Sequence, residues 1–264
     1  MEHDGASAER PLAAEPAAAP PSDAVGPVPA AAAEVFGTQL PRAERFVSHL
    51  ASTGISWGLV GPREVPRLWD RHVLNCAVLT DLIDQDARVV DIGSGAGLPG
   101  LTIALRRPDL TVVLVEPLLR RATWLERVVA DLGLRTVTVR RARAEELHGS
   151  EQADYVTARA VASLDRLAQW GLPLLRPNGQ LLALKGRSAE EEVARTARAV
   201  AAAGGVSTDV VSVGAGVVEP PVTVVRVRVA AGRTGAAPAG KPPGAAGSAR
   251  RRGGPRPGRR PPAH

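Results

Sequence analysis

Apolar residues recur first at helical spacing along this chain and later in continuous runs, and the change of rhythm divides it. Between Pro29 and Leu50 the positions Val35, Phe36, Leu40, Phe46, Val47 and Leu50 predict helix, which a Gly/Trp segment over 54–61 interrupts. From Pro62 a second helix is expected. Val65, Leu68, Trp69, His72, Val73, Cys76 and Leu79 recur three and four residues apart, with Pro66 still in the first turns, where proline is tolerated. After Arg88 strands and helices alternate. Strands are expected over 88–92, 110–115, 136–140, 155–158, 180–184, 206–213 and 222–229, and helices over 98–107, 118–132, 163–175 and 189–203. Runs such as Thr111-Val-Val-Leu-Val115 suit strands buried on both faces. The alternation implies a doubly wound, mostly parallel seven-stranded α/β sheet of Rossmann-like type, preceded by a helical extension. With no helix between the last two strands, an antiparallel hairpin at the sheet edge is expected.

Composition narrows this to one folded unit. Residues 1–28 are dominated by Ala, Pro and Gly, and residues 231–264 by Ala, Pro, Gly and Arg. Neither can bury enough apolar surface to offset chain entropy, so both are expected to be disordered tails. A helical part over 29–86 and a core over 87–230 remain, enough for a single domain. The formal charge of +6 is uneven: residues 231–264 hold eight basic residues and no acid, whereas residues 1–40 hold six acids and one base. The folded body is therefore only mildly basic. An Arg/Pro/Gly tail can bind a polyanion by counterion release, or simply be a solvated extension. Cys76 is the only cysteine, which excludes an internal disulfide and any cysteine metal cluster. Neither a signal peptide nor an apolar run of about 18 residues is visible, so a cytoplasmic monomer with no membrane partner and no metal is expected.

The chemistry concentrates in Asp91-Ile-Gly93-Ser-Gly95-Ala-Gly97-Leu98-Pro99-Gly100, directly after the first core strand. Glycines let a strand-to-helix turn close tightly and bring main-chain N–H groups against a ligand, and Pro99 suits the first helical turn. Two cofactors compete. Gly95-Ala-Gly97-Leu-Pro-Gly100 satisfies the dinucleotide spacing, while Gly93-x-Gly95-x-Gly97 behind Asp91 fits the loop that holds S-adenosylmethionine (SAM). An acid at the strand end should repel a pyrophosphate and attract the methionine ammonium. Glu116 closes the second strand about 20 residues past the glycine turn, where an acid accepts the ribose hydroxyls of either ligand. It could also serve only the dipole of the following helix. Arg143-Ala144-Glu145-Glu146-Leu147 follows the third strand and suits the adenine. Pro177-Asn178-Gly179 marks a turn before the fifth strand. No Tyr-x-x-x-Lys or histidine stands where hydride transfer would need it, which leaves a dehydrogenase the weaker reading.

Trp69-Asp-Arg71-His72-Val-Leu-Asn75, the glycine segment, Ala158-Arg159-Ala-Val-Ala-Ser163-Leu164 and Leu184-Lys185-Gly186 together resemble the small-subunit (16S) ribosomal RNA guanine-N7 methyltransferases, the RsmG/GidB family, over roughly 42–229. The resemblance implies a class I SAM-dependent methyltransferase fold. It also implies methylation of guanine N7 at one site in the decoding-site loop of 16S rRNA, presented free or in a small ribosomal subunit precursor. Carried over, the cofactor contacts fall on Gly93, Leu98, Ala144, Glu145 and Arg159, with Glu116 at the ribose; the glycine segment itself adds Asp91, Gly95 and Gly97 as cofactor-binding candidates. One departure is that Gly58-Leu59-Val60 stands where many members have Asn-Leu-Thr. Guanine N7 has an accessible lone pair and no proton to lose, so in-line transfer needs positioning and no general base, and no catalytic residue is nominated. A C5-pyrimidine methyltransferase would need a nucleophilic cysteine, and Cys76 lies on an apolar helical face. An exocyclic-amine methyltransferase would show Asn/Asp-Pro-Pro-Tyr/Phe where Ala158-Arg159-Ala160 stands. Arg71, His72, Arg120, Arg121 and Lys185 are the candidate RNA contacts, able to bind phosphate without reading bases. A small-molecule methyltransferase and a non-enzymatic RNA-binding module are the rival classes.

Overall fold

The computed structural model describes residues 25–232. Apart from residues 25–28 and 231–232, the expected tails lie outside them. Seven strands form one sheet: β1 Arg88–Ile92, β2 Thr111–Val115, β3 Val137–Arg140, β4 Ala153–Arg159, β5 Leu175–Lys185, β6 Gly205–Val213 and β7 Val222–Val229. They lie in the order β3-β2-β1-β4-β5-β7-β6. The first five pair in parallel, while β7 runs antiparallel to both β5 and β6. The final hairpin therefore enters with its second strand innermost and leaves β6 at the edge.

Strand periodicity divides the core between the two faces. Val89, Val112, Leu114, Leu182 and Val224 face one apolar cluster, which the N-terminal helices cover. Val90, Ile92, Val113, Val115, Leu181 and Val225 face the other. The first layer holds α1 (Ala30–Phe36), α2 (Leu40–Ala51), α3 (Thr53–Ser56), α4 (Asn75–Ala77), α5 (Gly100–Arg106) and α6 (Leu119–Leu132); the second holds α7 (Leu164–Gly171) and α8 (Ala189–Ala202). Every residue of β2 except Thr111 is buried, as its Val/Leu run requires.

The N-terminal part departs from the expected two helices. The first breaks at Gly37, whose φ of 49° lies in the left-handed region, and restarts as α2 with Pro41 in its first turn. The second is a chain of short pieces: a 3-10 turn over Pro62–Arg67, a widened π turn over Leu68–Leu74, α4, and another 3-10 turn over Val78–Leu82. Apolar spacing identifies the buried face correctly and is blind to the winding. The Gly/Trp segment docks on α6, where the Arg120 and Arg127 guanidinium groups lie 5.7 and 5.0 Å from the centre of the Trp57 ring. β5 begins earlier than expected because Pro177-Asn178-Gly179 forms a bulge inside it. Leu175 pairs with Ala153 and Gln180 with Tyr155, so four residues loop out opposite Asp154.

Candidate active site at the carboxyl ends of the strands

The loops following β1 to β4 surround one cavity of about 910 Å³. Gly93, Ser94, Gly95, Ala96 and Leu98 line it from the turn after β1, and Glu116, Pro117, Leu118 and Arg121 from the β2 side. Arg141 to Glu146 come from the turn after β3, and Arg159, Ala160 and Val161 from the end of β4. Leu59 and His72 reach in from the N-terminal layer, and Trp170 from α7. Strand order reverses between β1 and β4, and ligands of such sheets sit at that point.

Gly93, Gly95 and Gly97 have φ values of 68°, 53° and 80°, so three nearly consecutive residues adopt the conformation that side chains resist. Gly95 and Gly97 differ in how closely the protein packs on them. A Cβ on Gly95 meets only Gly93 O at 3.7 Å, whereas one on Gly97 would fall 2.7 Å from Leu101 Cγ. Gly97 therefore packs the loop onto α5 and does not line the cavity.

Asp91 also stays out of the cavity. Strand alternation puts its side chain on the same face as Val89, beneath the start of α5, where it is fully buried. Oδ1 accepts from Thr157 Oγ1 at 2.9 Å and Oδ2 from the Gly100 backbone N–H at 3.2 Å. Burial pushes its pKa up to about 7 against those hydrogen bonds. Asp91 thus fastens the glycine loop from behind, and neither of its oxygens is exposed to meet a methionine ammonium as the sequence led one to expect.

Glu116 is 2% exposed. Oε2 accepts from the Gly95 N–H at 3.0 Å and Oε1 from the Leu118 N–H at 3.1 Å. A carboxylate has about four acceptor positions, so two remain for hydroxyl donors. Gly95 and Glu116 are thereby locked in register at the cavity wall, with Ala144, Glu145 and the half-buried Trp170 also lining it. These residues fit a nucleoside that donates through its ribose and lays its base against an apolar wall. Trp170 escapes the sequence reading, since its apolar spacing on α7 is indistinguishable from ordinary core.

The basic candidates separate. Lys185 Nζ donates to Ala162 O and to Glu192 Oε1, each at 3.0 Å, and is largely buried. Glu192 Oε1 also accepts from the Leu164 N–H, so Lys185 ties the β4–α7 turn to α8 and is spent internally. Arg120 is spent on Trp57 and Ser56 O. Arg71 and Arg121 are exposed, with no ion-pair partner among the described residues. Arg141 and Arg143, absent from the expected RNA contacts, share the cavity rim with Arg121. The visible signal was the cluster Arg140-Arg141-Ala142-Arg143 after a strand. Arg159 donates to Cys76 Sγ (2.9 Å), Arg71 O (3.2 Å), His72 O (3.3 Å) and His72 Nδ1 (2.7 Å). Cys76 is fully buried, and burial raises its thiol pKa, which removes it as a nucleophile. Among the described residues no group of His, Cys, Asp and Glu can hold a metal ion, and no helix is long and apolar enough to cross a membrane.

The family model of GidB, rRNA small subunit methyltransferase G, matches residues 39–220. Ribosomal RNA small subunit methyltransferase G of Renibacterium salmoninarum is 60% identical over 203 residues, covering 76% of this chain and 94% of that protein. The protein of the same name from Streptomyces avermitilis is 56% identical over 204 residues, covering 77% and 86%. The chain therefore belongs to the GidB family and is a ribosomal RNA methyltransferase of class I fold that takes its methyl group from SAM.

Proposed function

We propose that the protein methylates N7 of one guanine in the decoding-site loop of 16S rRNA, on the free RNA or on a small-subunit precursor. The observation that carries this is the meeting, around one cavity, of a wall at Gly93, Gly95, Leu98, Glu116, Ala144 and Glu145 with a rim of Arg121, Arg141 and Arg143, which have no ion-pair partner among the described residues. When bound, SAM supplies an electrophilic methyl group on a sulfonium. Guanine N7 would bond to that methyl carbon with its own lone pair as the carbon–sulfur bond breaks and its electron pair leaves on the now neutral sulfur, and no proton would have to leave. The chain's part is to hold the two reactants in near-attack geometry, which by itself can account for much of the acceleration. The chemistry around the cavity suits that division of labour. Cys76 is unreactive, and Ala158-Arg159-Ala160 offers no loop for an exocyclic amine.

On this reading Arg159, whose two Nη groups each make two hydrogen bonds to the protein, holds an anion in the site, a carboxylate or a phosphate, through its charge and its Nε–H. Arg71, Arg121, Arg141 and Arg143 bind RNA phosphates, while Leu118 and Val161, 53% and 37% exposed at the mouth, offer apolar contact to bases. Methylation at N7 places a fixed positive charge on guanine and labilises its glycosidic bond after reduction. Borohydride followed by aniline should cleave 16S rRNA at the modified guanine in wild-type cells and not in a deletion strain. The intact gene should restore cleavage, and an Arg159→Ala gene should not. Unchanged cleavage in the deletion strain, with no second methyltransferase responsible, would remove the assignment.

A further inference from the structure

Three side chains from separate elements join beside the cavity, which Arg159 and His72 line and Glu64 does not. Arg159 closes β4, His72 lies in the π turn, and Glu64 lies in the preceding 3-10 turn. Arg159 Nη2 is 2.7 Å from His72 Nδ1, and His72 Nε2 is 2.7 Å from Glu64 Oε2. A guanidinium has donors only and does not lose its proton, so Nδ1 must be the bare acceptor. Nε2 then carries the ring proton and donates it to Glu64, whose carboxyl is held below its usual pKa chiefly by this hydrogen bond. The chain of bonds exists for one tautomer of the neutral ring. A second proton, on Nδ1, would set one N–H against another across the same gap.

The other contacts of Arg159 are two backbone carbonyls and the Cys76 sulfur, whose thiol is pushed above its usual range. His72 is therefore the one anchor whose charge can change on mild acidification, below the usual range of a histidine. The charges acting on it are Glu64 from the 3-10 turn, Arg71 beside it in the π turn, and Arg159 from β4. Burial and the two arginines lower its pKa, and Glu64 opposes them.

We propose that His72, oriented by Glu64, is a positioning residue: its neutral ring fixes the Arg159 guanidinium in the wall of the cavity, and protonation of the ring releases it. This rests on the reading of Arg159 as an anion-holding group of the methyl-transfer site. Because transfer to N7 uses no general base, the ring supplies a pH dependence that the reaction itself lacks. A direct phosphate contact by His72, the sequence-based expectation, would instead favour the protonated ring and give the opposite slope.

Heteronuclear NMR of the imidazole nitrogens, with His72 identified by the disappearance of its signals in His72→Asn, reads the tautomer without any turnover. Methylation of small subunits between about pH 5.5 and 8 reads the consequence. The neutral Nε2–H form is expected at neutral pH, with wild-type kcat falling as the ring protonates. His72→Asn places a non-titrating acceptor near Nδ1 and should flatten the profile while keeping activity at pH 8 within about threefold of wild type. His72→Ala should lower activity roughly ten- to a hundredfold, the scale of a hydrogen bond to a charged group. Glu64→Gln keeps an acceptor for Nε2–H but removes the charge that favours the imidazolium, so the profile should move to lower pH. Circular dichroism at each pH shows that the compared proteins are folded. An Nδ1–H tautomer, a ring already protonated at neutral pH, or a His72→Asn profile with the wild-type slope would overturn the proposal. A folded protein that binds SAM but is inert on rRNA would overturn the functional reading instead, while the tautomer would still decide the network.

Discussion

Asp91 and His72 are both ionisable, both sequestered beside the cavity, and shifted by burial in ways that oppose each other in stability. The Asp91 carboxyl is raised from 3.8 to about 7, so between those values the folded chain keeps a proton that the unfolded chain has lost. Its contribution is full below about pH 4 and disappears as pH rises to about 7, with a slope on the order of 1 kcal/mol per pH unit. His72 is lowered below 6.5, so its contribution is full above that value and is lost as pH falls below it through the lower pKa of the folded state. Urea unfolding of Asp91→Asn from about pH 4.5 to 8 should show the variant gaining on the wild type as pH rises. Parallel curves would mean that Asp91 is ionised throughout. Glu116→Ala should weaken SAM by about 1–3 kcal/mol in calorimetry, the scale of hydrogen bonds to a charged group. Reduced thermal stability with unchanged affinity would leave Glu116 only a support for Gly95 and the start of α6.

The glycine turn works as an element because its residues have different jobs. Gly95 (φ 53°) has space around its Cα, and its cost on substitution is conformational. Gly97 (φ 80°) carries that cost and also presses on Leu101. In denaturant melts Gly95→Ala should therefore be destabilised by about 1–2 kcal/mol and Gly97→Ala by more, with a further 1–3 kcal/mol or so of overpacking. The reverse order would show that the turn is held differently. The N-terminal layer gives the second lesson at this scale. Its 3-10 and π turns aim the His72 ring and the carbonyls of Arg71 and His72 at Arg159, which a regular helix through the same residues would not be obliged to do. Wide turns of this kind are frequent at functional sites, because an altered hydrogen-bond pattern re-aims what the helix carries.

Across the whole molecule, charge and chemistry are separated along the chain. The folded body supplies the cavity and a short arginine rim, while residues 231–264 carry eight basic residues beyond the last strand. Removing that segment should lower affinity for rRNA and reduce its salt dependence by about 0.7–0.9 in log–log slope for each phosphate that is no longer neutralised. The guanine that is methylated should not change, since binding to phosphate does not read bases. Binding assays at several salt concentrations, with the modified position mapped on the same RNA, check both halves. A changed position would place specificity in the segment.

Alternating runs are enough to predict a mostly parallel seven-stranded sheet, because a strand's fit to a two-faced core is written in local periodicity. The glycine turn, Glu116 and the segment after the third strand are legible for a related reason: backbone conformation at a turn depends on the residues that form it. What Asp91, Lys185, Arg120 and Arg159 do is not legible, because a charged side chain's role depends on what lies within about 3 Å, and those neighbours come from distant parts of the chain. Asp91 meets Thr157 and Gly100, Lys185 meets Glu192, Arg120 meets Trp57, and Arg159 meets His72. The sequence determined which loops line the cavity. Only tertiary packing decided which charges face the cavity and which are used up in holding it together.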